Sequence, residues 1–365
     1  MTSSPSLRPV PQRGVLEIEP YVPGRSGAKG SSAIKLSANE SPLGASPKAI
    51  AAFAEIAQQL EFYPEGSSRD LREALGEVHG LNPQRIVCGN GSDDLLHLLA
   101  QIYLGEGDEA VMSQYGFNVY PIIVKGAGAS LVVAPEADYR SDVDALLAAV
   151  SERTKVLFLA NPNNPTGTYI DAGELRRLHR GLRPDILLVV DSAYAEYVTA
   201  TDYETGVELV NASSNVVMVR TFSKMGLAAA RVGWMYAPEH VVDAVNRLRG
   251  PFNVNLAGQK AAAAATRDVD FTQTLKQHNA QWRGWLAEQI GSNRLRVLPS
   301  EANFVLVLFP SAEESQEAFD ALNEAGLIVR QLHVYGIDNG LRISIGSEQA
   351  MRGVAAVLKT FGDRS

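Results

Sequence analysis

The chain has 365 residues, 45% of them hydrophobic, with a formal net charge of −8. That is ample material for a sizeable core, and an acidic balance without any basic run argues against nucleic-acid binding, which needs clustered Lys and Arg. No stretch approaches the ~20 apolar residues of a membrane span, and the polar, proline-rich opening "MTSSPSLRPVPQRG" lacks the apolar region of a signal peptide. The single cysteine, Cys88, excludes a disulfide framework within the chain and suits a cytoplasmic enzyme. Six histidines without an HExxH pair, and no CxxC, leave no metal motif.

Residues 1–36 show little periodicity and read as an N-terminal arm lying on another surface. From about residue 70, helical patterns alternate with short apolar runs. Leu71, Leu75 and Val78 mark one helix face, and Leu95, Leu98, Leu99 and Ile102 mark the next. The runs are "RIVCG" (85–89), "EAVMS" (109–113), "SLVVA" (130–134), "KVLFLA" (155–160), "ILLVVD" (186–191) and "NVVMV" (215–219). Continuous Val/Ile/Leu runs separated by helices predict a mostly parallel sheet between helices. After "RGPFNVN" (249–255) comes an alanine-rich helical stretch, then alternating strands "NFVLVLF" (303–309) and "LRISIG" (341–346). The predicted organisation is α/β: the arm, a large domain over 37–252 and a smaller α+β domain over 253–365.

In open parallel sheets ligands bind beyond the carboxyl ends of the strands, so the residues after each run carry the functional reading. "GNGSDD" follows the first run. Two glycines allow close backbone approach, and Ser92 or Asp93 opens a helix whose free N–H groups suit an anion. "QYGFNVY" clusters Tyr115, Phe117 and Tyr120, which are core residues or a stacking wall for a flat heterocycle. "NPNNPTG" (161–167) makes a turn, with more amide side chains than a turn requires. Asp191 ends an apolar strand, where a carboxylate is a helix cap or calls for a cation. "TFSK" brings Lys224 out of a buried run, and Arg231 follows seven residues later among small apolar neighbours. Singly, each feature reads as structure. Together they suit a phosphorylated, cationic, flat heterocycle that reacts with an amine, and pyridoxal 5′-phosphate meets that description.

These motifs resemble the fold-type I, pyridoxal-phosphate-dependent aminotransferases over nearly the whole chain. Within them the chain is most similar to the histidinol-phosphate aminotransferase group, through "PYVPG", "LSANESPLGASP", "FYPEG", "GNGSDD", "NPNNPTG", "DSAYAEY", "TFSK", "RGPFNVN" and "LRISIG". The resemblance implies that Lys224 forms the Schiff base with the cofactor and shuttles the proton between Cα and C4′. It gives Asp191 to the pyridine nitrogen, Asn164 and Tyr194 to the ring hydroxyl, and Phe117 to ring stacking. Ser92, Asp93, Ser223 and Arg231 match the phosphate cradle, with Thr221 of "TFSK" among the cofactor contacts. Arg231 stands seven positions after the lysine, where many relatives have eight. Tyr63 matches a tyrosine that reaches the cofactor phosphate of a neighbouring subunit, which implies a homodimer. Arg342 matches the arginine that grips the substrate's acidic group, and Tyr21, Asn39 and Arg330 are further substrate contacts.

The implied reaction exchanges an amino group between L-histidinol phosphate and 2-oxoglutarate, giving imidazole-acetol phosphate and L-glutamate in histidine synthesis. Transamination of aromatic substrates such as phenylpyruvate or prephenate stays open, as does a threonine-phosphate decarboxylase on the same scaffold. A transcription regulator with an aminotransferase-like domain is disfavoured, because no DNA-binding segment or basic patch is present.

Overall fold

The computed structural model describes residues 9, 11–20, 33–291 and 294–364, so Tyr21 lies outside the described residues. Strand β1 (Ile34–Lys35) precedes β2 (Ile86–Gly89), β3 (Glu109–Ser113) and β4 (Ser130–Ala134). A short ribbon of β5 (Glu136–Ala137) and β6 (Arg140–Ser141) follows, then β7 (Thr154–Ala160), β8 (Leu187–Asp191), β9 (Val216–Thr221) and β10 (Gly233–Tyr236). Seven of these form one sheet in the order β2-β10-β9-β8-β7-β3-β4.

All six runs read from the sequence are strands of this sheet. Its neighbours from β9 to β4 pair in parallel, whereas β10 is antiparallel to both β9 and β2. The strand β10, "GWMY", is an addition that the apolar pattern did not single out. Its insertion leaves β2 pointing the same way as the parallel strands, so their carboxyl ends share one edge. It also brings the amino end of β10, and Arg231 just before it, to that same edge. The central strands are buried on both faces, with Leu157, Leu159, Leu188 and Val190 in one core. Val156, Phe158, Val189 and Val217 lie in the core on the opposite face. This double covering is why these strands read as continuous apolar runs.

The second sheet joins β11 (Arg296–Val297), β12 (Phe304–Leu308), β14 (Arg330–Leu332) and β15 (Ile337–Ser344) in the antiparallel order β11-β12-β15-β14. Helices Val269–Ile290, Ala312–Glu324 and Glu348–Gly362 cover one face, packing Trp282, Phe319 and Met351 on Val305, Val307, Leu341 and Ile343. The opposite face bears Phe304, Leu306 and Arg342 and turns toward the first sheet, where Phe304 packs with Tyr194. Strand β12 is therefore buried along its whole length rather than alternating. Its sequence reads as an alternating strand, and loops of the first sheet cover its second face.

The arm lies on its own chain where it is described. Lys125 Nζ donates to the Glu17 carbonyl at 3.1 Å, beside the short helix Arg13–Leu16. Strand β1 pairs in parallel with β13 (Leu327–Ile328), tying the start of the chain to its C-terminal part. Among the described residues no helix is long and apolar enough to cross a membrane, and no His/Cys/Asp/Glu group is placed to hold a metal.

Candidate active site

A cavity of about 630 Å³ lies between the carboxyl edge of the seven-stranded sheet and the uncovered face of the second sheet. Of the residues singled out from the sequence, Ser92, Asp93, Phe117, Asn164, Asp191, Tyr194, Thr221, Ser223, Lys224, Arg231, Asn39, Arg330 and Arg342 all line it. Tyr63 does not. Its side chain is outside, 80% exposed and stacked on Phe252 at 4.7 Å.

At one end the site is an anion cradle. Gly91 (φ +88°) turns the chain into helix Ser92–Tyr103 without any side-chain cap, leaving the first-turn N–H groups open to a ligand. A Cβ at Gly91 would come 2.6 Å from Arg231 Nη2, and one at Gly233 would come 2.3 Å from the Ser92 nitrogen. Only glycine lets these three segments meet so closely. Arg231 Nη1 donates to Ser223 Oγ at 3.3 Å, and Nη2 pairs with Asp93 Oδ2 at 3.5 Å. These are long contacts, and both side chains are half-open. Thr221 Oγ1 braces the turn by donating to Ser223 Oγ at 3.0 Å and accepting from the Ser223 N–H. The shorter lysine–arginine spacing thus still delivers the guanidinium to the cradle, through a left-handed Arg231 (φ +54°).

At the centre, Asp191 is 5% exposed at the end of β8. Tyr120 donates to Oδ2 at 2.9 Å, while Oδ1 has no hydrogen-bond partner. Burial pushes its pKa up to about 6, with Asp93 adding to the rise and the Tyr120 bond, the nearby Ala193 N–H and Lys224 opposing it. It caps no helix. Tyr120 was visible in the "QYGFNVY" cluster but not as a partner of this acid, because seventy-one residues separate them. Lys224 Nζ lies 5.8 Å from the centre of the Tyr194 ring, and Tyr197 holds the Lys224 carbonyl at 2.5 Å. Burial, reinforced by Arg342, pushes the Lys224 amine down to about 8. A lysine in this state is neutral far more often than an exposed one, hence nucleophilic.

The amides of "NPNNPTG" divide their work. Asn161 bonds both ways with the Ile170 backbone, and Asn163 donates to the Tyr115 carbonyl at 3.1 Å, so both hold the loop. Asn164 faces the cavity and accepts from Arg342 Nη1 at 2.5 Å. Arg342 Nη2 donates to the Ser37 carbonyl at 2.7 Å, and the guanidinium lies over Phe304. Asn39 is 1% exposed and its groups are committed: Nδ2 donates to Tyr194 Oη at 3.0 Å, and Oδ1 accepts from Ser344. It lines the cavity while holding Tyr194 in place. Phe117 meets Tyr120 edge-on at 5.9 Å. Lys35, Glu40, His97 and Tyr335 also line the cavity; of these only Glu40 lies within a motif singled out from the sequence, which assigns it no role.

A phosphorylated cationic heterocycle fits these residues. The orphaned Oδ1 of Asp191 is an acceptor for a protonated ring nitrogen, the Gly91–Arg231 cradle suits a phosphate, and Lys224 is an amine with a lowered pKa. Fold and site together define a pyridoxal-phosphate-type transferase of fold type I. The chain belongs to the aminotransferase class I and II family, whose profile matches residues 31–358. It is 52% identical over 359 residues to the histidinol-phosphate aminotransferase of Nitrobacter hamburgensis, covering 97% of this chain and 98% of that protein. It is 51% identical over 360 residues to the enzyme of the same name from Rhodopseudomonas palustris BisB18, at the same coverage. The histidinol-phosphate aminotransferase of Sinorhizobium meliloti, solved in complex with pyridoxal-5′-phosphate, superposes with a TM-score of 0.83 at 32% identity over 90% of each chain.

Proposed function

We propose that the protein uses pyridoxal 5′-phosphate to transfer an amino group between L-histidinol phosphate and 2-oxoglutarate, forming imidazole-acetol phosphate and L-glutamate. The observation that carries the substrate reading is a pair of arginines. Arg330 of β14 and Arg342 of β15 stand directly opposite each other in an antiparallel register, on the face that lines the cavity. Like charges so placed repel, and an anion between them reverses the sign. A phosphate monoester carries close to two negative charges at neutral pH and accepts the planar fork of a guanidinium. The γ-carboxylate of glutamate can use the same fork, which lets one site take two dissimilar partners.

When bound, the cofactor supplies an electron-poor ring that takes up the electron pair as the Cα–H bond breaks. Ser92, Asp93, Thr221, Ser223 and Arg231 would hold its phosphate, Asp191 its protonated ring nitrogen, Asn164 and Tyr194 its ring oxygen, and Phe117 one ring face. Lys224 would bind its aldehyde and then carry the proton removed from Cα. Low solvent access keeps the amine neutral and able to accept that proton.

The working unit in this reading is a homodimer. Tyr63 sits outside its own chain's cavity, stacked on exposed Phe252, and Ile50, Phe53, Leu60 and Phe62, close to it in sequence, are exposed as well. So many large apolar side chains left exposed in one part of the chain suit an interaction face. Sedimentation of the purified protein tests it, since a monomer at micromolar concentration would overturn the dimer. Aromatic side chains in the cavity, Phe117, Tyr194 and Tyr335, favour a second substrate class with a phenyl ring. A half-reaction screen of the amine-loaded enzyme against imidazole-acetol phosphate, phenylpyruvate and 2-oxoglutarate decides. A wild-type preference for phenylpyruvate over imidazole-acetol phosphate would replace the histidine-pathway reading with the aromatic one.

A further inference from the structure

The cation-bearing wall of the cavity extends beyond the two arginines, into the separate strand pair β1-β13. Strand β1 adds to β13 in parallel, with Lys35 registered against Ile328. Side chains alternate along a strand. Leu36 packs into the core beneath the second sheet, so Lys35 and Ser37 turn the other way. Leu327 and Val329 enter the same core, so Ile328 and Arg330 also turn toward the cavity. The alternation therefore places Lys35 on the same face as Arg330 and Arg342, and all three line the cavity. The Ser37 carbonyl, two residues on, is bonded to Arg342. Among the described residues Lys35 pairs with Glu40 at 2.9 Å. Glu40 lines the same cavity, follows the anchored Asn39, and its side chain is 46% exposed. A pair this open to water holds together weakly.

We propose that Lys35 is a third cation of the subsite for the substrate's anionic group, masked by Glu40 until a phosphate displaces it. This deepens the histidinol phosphate reading and rests on it. A carboxylate carries one charge and is satisfied by the arginine fork. A phosphate monoester carries nearly twice that charge and has three acceptor oxygens, so it can draw Lys35 away from Glu40. Glu40 supplies the discrimination, because it competes for Lys35 more evenly with a singly charged ligand than with the more highly charged phosphate. Lys35 is thus a residue that sorts two substrates of one site.

The test compares wild type, Lys35→Met, Lys35→Arg and Glu40→Gln, each saturated with cofactor, in separate half-reactions with histidinol phosphate and glutamate. Lys35→Met should lower kcat/KM for histidinol phosphate about tenfold, mainly through KM, and change glutamate by less than about threefold. Lys35→Arg should recover most of the loss, since it keeps the charge. Glu40→Gln should make inorganic phosphate a stronger competitive inhibitor, by about threefold or more. Equal losses with both substrates would mean that Lys35 only supports the fold, and would overturn the proposal. So would unchanged phosphate inhibition in Glu40→Gln. If wild type itself prefers phenylalanine to histidinol phosphate, the substrate reading falls, and inhibition by inorganic phosphate still reports on Lys35 alone.

Discussion

The two walls of the cavity are built differently. The wall from the seven-stranded sheet carries its groups on the loops that leave parallel strands, and each group is braced by near neighbours. Thr221 braces Ser223, Tyr120 holds Asp191, and Tyr197 holds the backbone of Lys224. Its two key charges lie where water is scarce, and burial shifts both away from their ordinary values. The wall from the second sheet instead presents cations on the face of an antiparallel sheet, with the separate parallel pair β1-β13 beside it. The contrast separates chemistry from choice. A lesion in the first wall should harm every substrate alike, whereas a lesion in the second should harm substrates unequally.

The largest effect is expected at Lys224. Lys224→Ala should slow both half-reactions by about four decades, the upper range for loss of a positioned acid–base and nucleophilic group. Borohydride treatment followed by peptide mapping should fix the cofactor to Lys224 in wild type, and label on another lysine would break the comparison. Asp191→Asn should come next, slowing both half-reactions by about two to three decades, as expected for loss of a preorganised charge at a reacting group.

The same substitution has a second readout. The folded value for Asp191, about 6, lies above the ordinary 3.8. The folded protein therefore takes up the proton first as pH falls. The charge costs stability in full above pH 6, and that cost vanishes below about pH 4. Without cofactor, Asp191→Asn should be more stable than wild type at pH 8 by roughly 2–3 kcal/mol, the two converging toward pH 4 in urea melts. Equal stability at pH 8 would mean that the carboxylate is better solvated than its burial indicates.

Arg342→Lys tests the second wall. It should weaken both half-reactions in kcat/KM, by about one decade with glutamate and about two with the more highly charged histidinol phosphate, because an ammonium lacks the bidentate fork. Arg330→Ala should harm histidinol phosphate more than glutamate. Equal losses across glutamate, histidinol phosphate and phenylalanine would erase the division between the walls.

A pH series sharpens the first wall. Lys224 is lowered to about 8, so the rate at which cofactor-free protein captures pyridoxal 5′-phosphate should rise about tenfold per unit below pH 8 and level off above it. Visible absorbance follows this directly, and a rate still climbing steeply above pH 9 would place the amine in a more aqueous setting. The smallest effect is expected at Tyr63. Tyr63→Phe should loosen the cofactor by about threefold to tenfold, one hydrogen bond's worth, and only where the dimer is intact.

Local pattern alone determined a good deal of this protein. Six strands could be read as apolar runs, because a strand covered on both faces has no polar side to hide it. The residues after those runs could be read as a site, because parallel strands deliver their carboxyl ends to one edge. Asp191, Lys224 and "GNGSDD" were legible for that reason. Tertiary structure decided what depends on distant segments meeting. It inserted β10 beside β9 and so carried Arg231 to the cradle. It gave Asp191 its hydroxyl partner from Tyr120, assigned only Asn164 of three neighbouring amides to the cavity, and turned Asn39 into a support for Tyr194. It also placed Lys35 at the cavity and paired it with Glu40, a pairing that the sequence does not indicate. A side chain's type is local, but its pKa, its partners and the wall it faces are set by which other segments exclude water around it.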